Sequence, residues 1–204
     1  MTEKKKRIEN KRYLLPVYIL LLFIMFILPY YSAEEYSILK NTTSQLGAQH
    51  APNAWIMNIT FCLLGIACML EAWIYLKTFW VHKILLTIFG TGLILTAVFR
   101  HEPIIEGIPY NDFESALHSL FATIVGFSFT LFAISAAFIE KRNSKKLLAV
   151  LVGLIATGLS VLMITVTDYT GIWQRLIFII SFAWLMLFFE GLKNRNTIDI
   201  STTH

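Results

Sequence analysis

Apolar positions in this chain fall into long unbroken blocks parted by short polar stretches. Six blocks are legible, at 13–31, 54–76, 84–99, 115–139, 147–167 and 172–192. A helix that crosses a bilayer needs about 20 mostly apolar residues, within a range of roughly 17–25. The blocks fit that length; the third is the shortest and is expected to borrow flanking residues. Strands of a membrane barrel would alternate apolar and polar positions, which these runs do not. A helix also satisfies its own backbone groups where lipid offers no partner. The pattern predicts an all-α integral membrane protein with six transmembrane helices over residues 13–192. Residues 1–12 read as a basic terminal segment and 193–204 as a polar, flexible tail. The first block is longer than the h-region of a cleaved signal peptide, about 7–15 residues, so it reads as a retained anchor.

The polar stretches add detail. The longest, 32–53, contains "YSILKNTTSQLG", which predicts a short surface helix. Ile38, Leu39 and Leu46 would dip toward lipid, and Gly47 would cap its C-terminus. Asn53 is placed to cap the second span, and Trp55 to sit at the headgroup level. The stretch "RHEPIIEGIPYNDFE" joins spans three and four, and the short segment 168–171 joins the last two. On the opposite side, "KTFWVHK" and "EKRNSKK" are short and basic. Short links make successive helices antiparallel neighbours.

Charge sets the expected orientation. All of the 17 Lys and Arg except Lys40, Arg100 and Arg175 fall on the side that carries both termini. The positive-inside rule places that side in the cytoplasm. Composition agrees with a membrane protein. Hydrophobic residues make up 56% and charged ones 15%, against about 45–50% and about 25% in soluble domains. The net charge of +4 therefore reports topology and anionic headgroups, and no nucleic-acid partner is expected. Membrane lipids are the expected partners. Cys62 and Cys68 lie roughly 9 Å apart along one helix, beyond disulfide reach, and read as packing residues.

The outer side gathers the candidate chemistry. His50, His101 and His118 all fall there. His118 stands about one turn inside the fourth span, where an ionisable group is costly and so a functional candidate. Glu114 lies four residues earlier on the same helix face. With His101, Glu102 and Asp168, these residues hold the ingredients of a His/carboxylate zinc site. A metal-dependent hydrolase would use His101, His118 and Asp168 as ligands, with Glu102 or Glu114 as general base. No compact His-Glu-x-x-His motif is present. A second reading makes Ser44, Gln45, His50, Asn58, Glu114 and His118 the wall of an outer polar pocket for a lipid or small molecule. A third gives Glu114 and His118 only a helix-packing role. Glu71, inside the second span, is expected to pair with Lys83 or Lys145, to snorkel, or to serve a small proton-coupled transporter. Arg175 is expected to face Asp168.

The string "TTSQLGAQHAPNAWIMNITFCLLGIA", followed by "VFRHEP" and "ALHSLFA", resembles the bacterial membrane family called domain of unknown function 998. Its features fall on Ser44, Leu46, Gly47, Ala48, Asn58, Phe99, Pro103 and His118. Gln45 stands where the family often has an acid, which removes any role needing a carboxylate there. The resemblance implies six spans in a bacterial plasma membrane and brings no activity with it. Three functional classes stay open: a lipid- or ligand-binding membrane protein, a zinc hydrolase, and a small transporter.

Overall fold

The computed structural model describes residues 12–201, with side chains through 195. The basic residues Lys4, Lys5, Lys6, Arg7 and Lys11, which weigh in the charge bias, lie outside the described residues. Six helices follow one another: α1 (Leu14–Ile27), α2 (Ala54–Tyr75), α3 (Trp80–Val98), α4 (Asp112–Ser135), α5 (Asn143–Thr165) and α6 (Thr170–Ser201). Each is long and apolar enough, alone or with the short 3-10 turns that continue it, to cross a membrane. The protein is a multi-pass membrane protein. Successive helices pack side by side as antiparallel neighbours. One end of the bundle carries the start of α1 and the end of α6, and is called the terminal end. The other carries the connections after α1, α3 and α5, and is called the loop end.

The last helix occupies the centre. Phe178 packs on Phe61 of α2 at 5.7 Å between ring centroids, and Phe182 on Tyr18 of α1 and Phe89 of α3. Trp184 meets Phe129 of α4 edge-on, and Phe188 meets Phe132. Lipid tails are as apolar as these side chains, so burial as such drives little association. Close packing and interhelical hydrogen bonds must do it. Offset and edge-on aromatic pairs supply about 0.5–1.5 kcal/mol each. Between α2 and α3 the backbones themselves touch. A Cβ on Gly65 would meet the Gly90 carbonyl, and one on Gly90 would meet the Gly65 carbonyl.

Local expectations were met unevenly. The third helix begins at Trp80, so it does take up flanking residues. The stretch 37–47 makes no surface helix, only a 3-10 turn at Ser44–Gly47. Leu46 is fully buried inside the bundle, while Leu39 stays exposed. Polar side chains hold this segment in place of helical bonds. The Asn41 side chain accepts from the Ser37 N–H at 2.8 Å, and Gln45 Oε1 from the Thr42 N–H at 2.8 Å. Such local bonds compete with helix formation. Asn53 precedes α2 with a left-handed backbone, φ 58°, and its side chain makes no cap. It donates to the Tyr31 carbonyl at 2.9 Å instead, tying α2 to the end of α1. α6 runs on as helix to Ser201, past the span end expected at 192, for the stretch after Leu192 contains no Gly or Pro to stop it. Residues 202–204 lie outside the described residues.

Candidate functional site

Helix ends set the chemistry of this protein. The first four N–H groups and last four carbonyls of any helix lack partners within it. Here polar side chains from other helices supply them. Glu71 of α2 is only 4% exposed. Its Oε1 accepts the N–H of Tyr13 at 2.9 Å and of Leu14 at 2.8 Å, at the start of α1. Pro16, two residues on, has no N–H to satisfy, and a first-turn proline is tolerated for that reason. Glu71 therefore does not pair with Lys83 or Lys145. The Lys83 ammonium sits over the Trp73 ring, 4.9 Å from its centroid.

Arg175 does the converse at the other end of α1. It is 2% exposed. Its Nε and Nη2 donate to the Met25 carbonyl at 3.3 Å, in the last turn of α1. Nη1 donates to the carbonyls of Ile38 and Asn41 at 3.0 Å and of Gly171 at 2.9 Å. Nη2 also donates to the Tyr36 hydroxyl at 2.7 Å. Tyr36 in turn donates to the Thr42 carbonyl at 2.8 Å. Burial raises the Tyr36 phenol above its ordinary pKa, against the pull of Arg175, so it keeps the proton it donates. Arg175 thus fixes the loop, and the expected pairing with Asp168 does not form. Asp168 lies out on the surface, 3.8 Å from Lys40. Gly171 completes the joint, because a Cβ there would strike the carbonyls of Ile38 and Asn41.

His118 belongs to the same scheme. It is 3% exposed, and its Nδ1 lies 2.9 Å from the Thr96 carbonyl and 2.8 Å from that of Phe99. Carbonyls only accept, so Nδ1 carries the proton, and α4 closes the C-terminus of α3. Glu114 does not reach His118. Its Oε1 accepts the backbone N–H and the Nε of Arg100, both at 2.9 Å. His101 lies edge-on to His118 with centroids 5.2 Å apart, its Nδ1 3.1 Å from the Glu102 carbonyl. The Glu102 carboxylate accepts from Tyr110, an exposed phenol whose pKa that bond pushes up to about 12. Among the described residues no three His, Cys, Asp or Glu stand close enough to hold a metal. The His101, His118 and Asp168 trio is therefore corrected. Its histidines adjoin, but its carboxylate is elsewhere.

The residues expected to wall an outer pocket are placed as follows. Ser44 is buried, and its hydroxyl accepts from the Gln174 amide at 3.4 Å. Gln174 Oε1 accepts the Thr43 N–H at 2.7 Å. Gln45 caps the turn at Thr42, as described above. Asn58 donates to the Gly47 carbonyl at 3.1 Å, which seats the 3-10 turn on α2. His50 is exposed, with a left-handed backbone at φ 60°. Gln49, which sequence reasoning passed over, joins both loops. Its Oε1 accepts the Asn111 N–H at 2.9 Å, and its amide donates to the Asn111 carbonyl at 3.1 Å. The space left beside Gln49, His50 and Pro103 is about 10 Å³. That is room for about one water.

A larger cavity, about 240 Å³, opens at the terminal end. It is lined by Arg12, Leu15, Glu71, Tyr75, Met186, Leu187, Phe189, Glu190 and Lys193. Arg12 and Glu190 form an ion pair at 2.9 Å beside it. Nearby, Arg195 pairs with the buried Glu140 at 2.6 Å. The sequence hinted at the cavity only in Glu71. Arg12, Lys193 and Arg195 read there as topology signals, since nothing in a linear chain shows Arg12 meeting Glu190.

Residues 17–189 match the model of a family described as Protein of unknown function (DUF998). No curated protein and no solved structure matches the chain.

Proposed function

The chain belongs to the DUF998 family, and from that premise we propose that it is a membrane protein that holds a lipid or small amphiphile in its terminal-end cavity. The observation that carries this is the cavity of about 240 Å³ at the terminal end, against about 10 Å³ beside Gln49, His50 and Pro103 at the loop end. The cavity has the make-up of an amphiphile site. Charged groups from the residue stretch before α1, from α2 and from α6 stand beside an apolar wall of Leu15, Met186 and Leu187. Ligand sites in helical proteins favour such clefts between helices, apolar with a few placed polar groups. At the loop end, expected from its polar residues to be the binding side, Ser44, Gln45, Asn58, Glu114 and His118 are each bonded to Gln174, Arg100 or backbone groups of the protein. The charge bias supports placing the terminal end in the cytoplasm, so the ligand is drawn from the inner leaflet.

The test is native mass spectrometry of the full chain released from a mild detergent. Wild-type protein should retain about one lipid-sized adduct per chain, and Leu15→Trp, which adds bulk to the lining, should lose it. A bare wild-type protein, or an adduct equally retained by Leu15→Trp, would contradict the reading.

A further inference from the structure

We propose that the terminal-end cavity selects a zwitterionic phospholipid head group, its phosphate on Arg12 and Lys193 and its ammonium on Glu190 and Glu71. This rests on the reading of the cavity as a lipid site. The lining holds two bases and two acids, so it is bipolar without net charge. A head group with one anion and one cation matches that arrangement. A head group carrying only an anion does not. It would draw Arg12 away and leave Glu190 beside Glu71, two carboxylates facing a partly dehydrated space.

The Arg12–Glu190 pair shows how the ligand enters. Its side chains are 49% and 36% exposed. Ion pairs as open as this are weak in water. A zwitterion replaces both halves at once, so no charge is stranded when the pair parts. Glu71 cannot move in this way, because α1 holds its Oε1. It supplies a fixed negative charge instead. Tyr75 and Phe189 also line the cavity, with ring centroids 6.0 Å apart. Aromatic faces attract cations, which adds to the pull on an ammonium.

Size and depth agree. Sites for whole small molecules run to about 300–1,000 Å³. The cavity is smaller, and suits a head group whose chains remain in the bilayer. Leu187, which lines it, is 64% exposed on the outer surface of the bundle. Acyl chains can leave along that side. The cavity also lies level with the first residues of α1 and the last of α2, the depth at which head groups sit.

The experiment titrates the full chain in detergent with phosphatidylethanolamine and phosphatidylglycerol of identical chains, read by native mass spectrometry. Wild-type protein should bind the zwitterion about tenfold more tightly. Glu190→Gln should erase that preference by strengthening phosphatidylglycerol. Leu15→Trp and, independently, Lys193→Glu should weaken both lipids. Equal or tighter binding of phosphatidylglycerol by the wild type overturns the zwitterion assignment and leaves the cavity reading standing. Binding of both lipids that neither Leu15→Trp nor Lys193→Glu alters overturns the cavity reading itself.

Discussion

Arg175 is the residue on which most of the loop end depends. Its charge sits in the bundle without a carboxylate among its hydrogen bonds; the acceptors are four carbonyls and one phenol. Bonds to a charged group are worth about 1.5–3 kcal/mol each when a partner is removed. Arg175→Met should therefore destabilise the protein by at least about 3 kcal/mol, which reads as a fall of at least about 6 °C in the melting temperature in detergent. Arg175→Lys should recover little, since an ammonium is a point charge and cannot reproduce the planar fork. His118 gives a second contrast. Its Nδ1 proton holds two α3 carbonyls, so His118→Ala should lower the melting temperature more than His118→Asn, which keeps a donor. Asp168→Ala should stay within about 0.5 kcal/mol of wild type, as surface substitutions do. A shared metal site would make those two positions fail together and bind zinc in proportion to the protein.

At the scale of elements, α1 is held at both ends by other helices. Glu71 places negative charge at its N-terminus and Arg175 positive charge at its C-terminus, each the favourable sign for the helix dipole. Glu71→Ala should cost about 1–2 kcal/mol, the scale of a lost N-cap. It should also raise amide exchange at Tyr13 and Leu14 selectively. Glu71→Gln keeps an acceptor and should protect those amides. If the two variants exchange alike, the cap is not what fixes α1. The six helices were legible because block length and continuity are local properties of the chain. The caps were not, because their partners are remote: Glu71 reaches back 57 residues to Leu14, and Arg175 reaches 150 to Met25. An i,i+4 rule could only suggest Glu114 with His118, and Arg100 from the preceding loop takes Glu114 instead. Polar residues in the first loop read as a pocket for a similar reason. Sequence shows surplus hydrogen-bonding capacity and not where it is used, and Gln174 and Gln49 use much of it.

For the whole molecule, the two ends differ in kind. The loop end is tied together by the hydrogen bonds of Arg175, Gln49, Gln174 and His118. The terminal end is open between α1, α2 and α6. Its charge bias predicts the sidedness, and single cysteines in a variant lacking Cys62 and Cys68 check it. Pro103→Cys should react with an impermeant thiol reagent added outside whole cells, and Lys141→Cys should react only after the membrane is opened. The reverse pattern would invert the orientation. Ligand binding, on the reading proposed above, belongs to the terminal end. A photoactivatable phospholipid, cross-linked to the full chain in membranes and mapped by peptide mass spectrometry, tests it most directly. The label should fall on the α6 peptide spanning Met186 and Lys193. Label concentrated on the loop-end peptide that holds Ser44 and Asn58, with the α6 peptide clean, would contradict it.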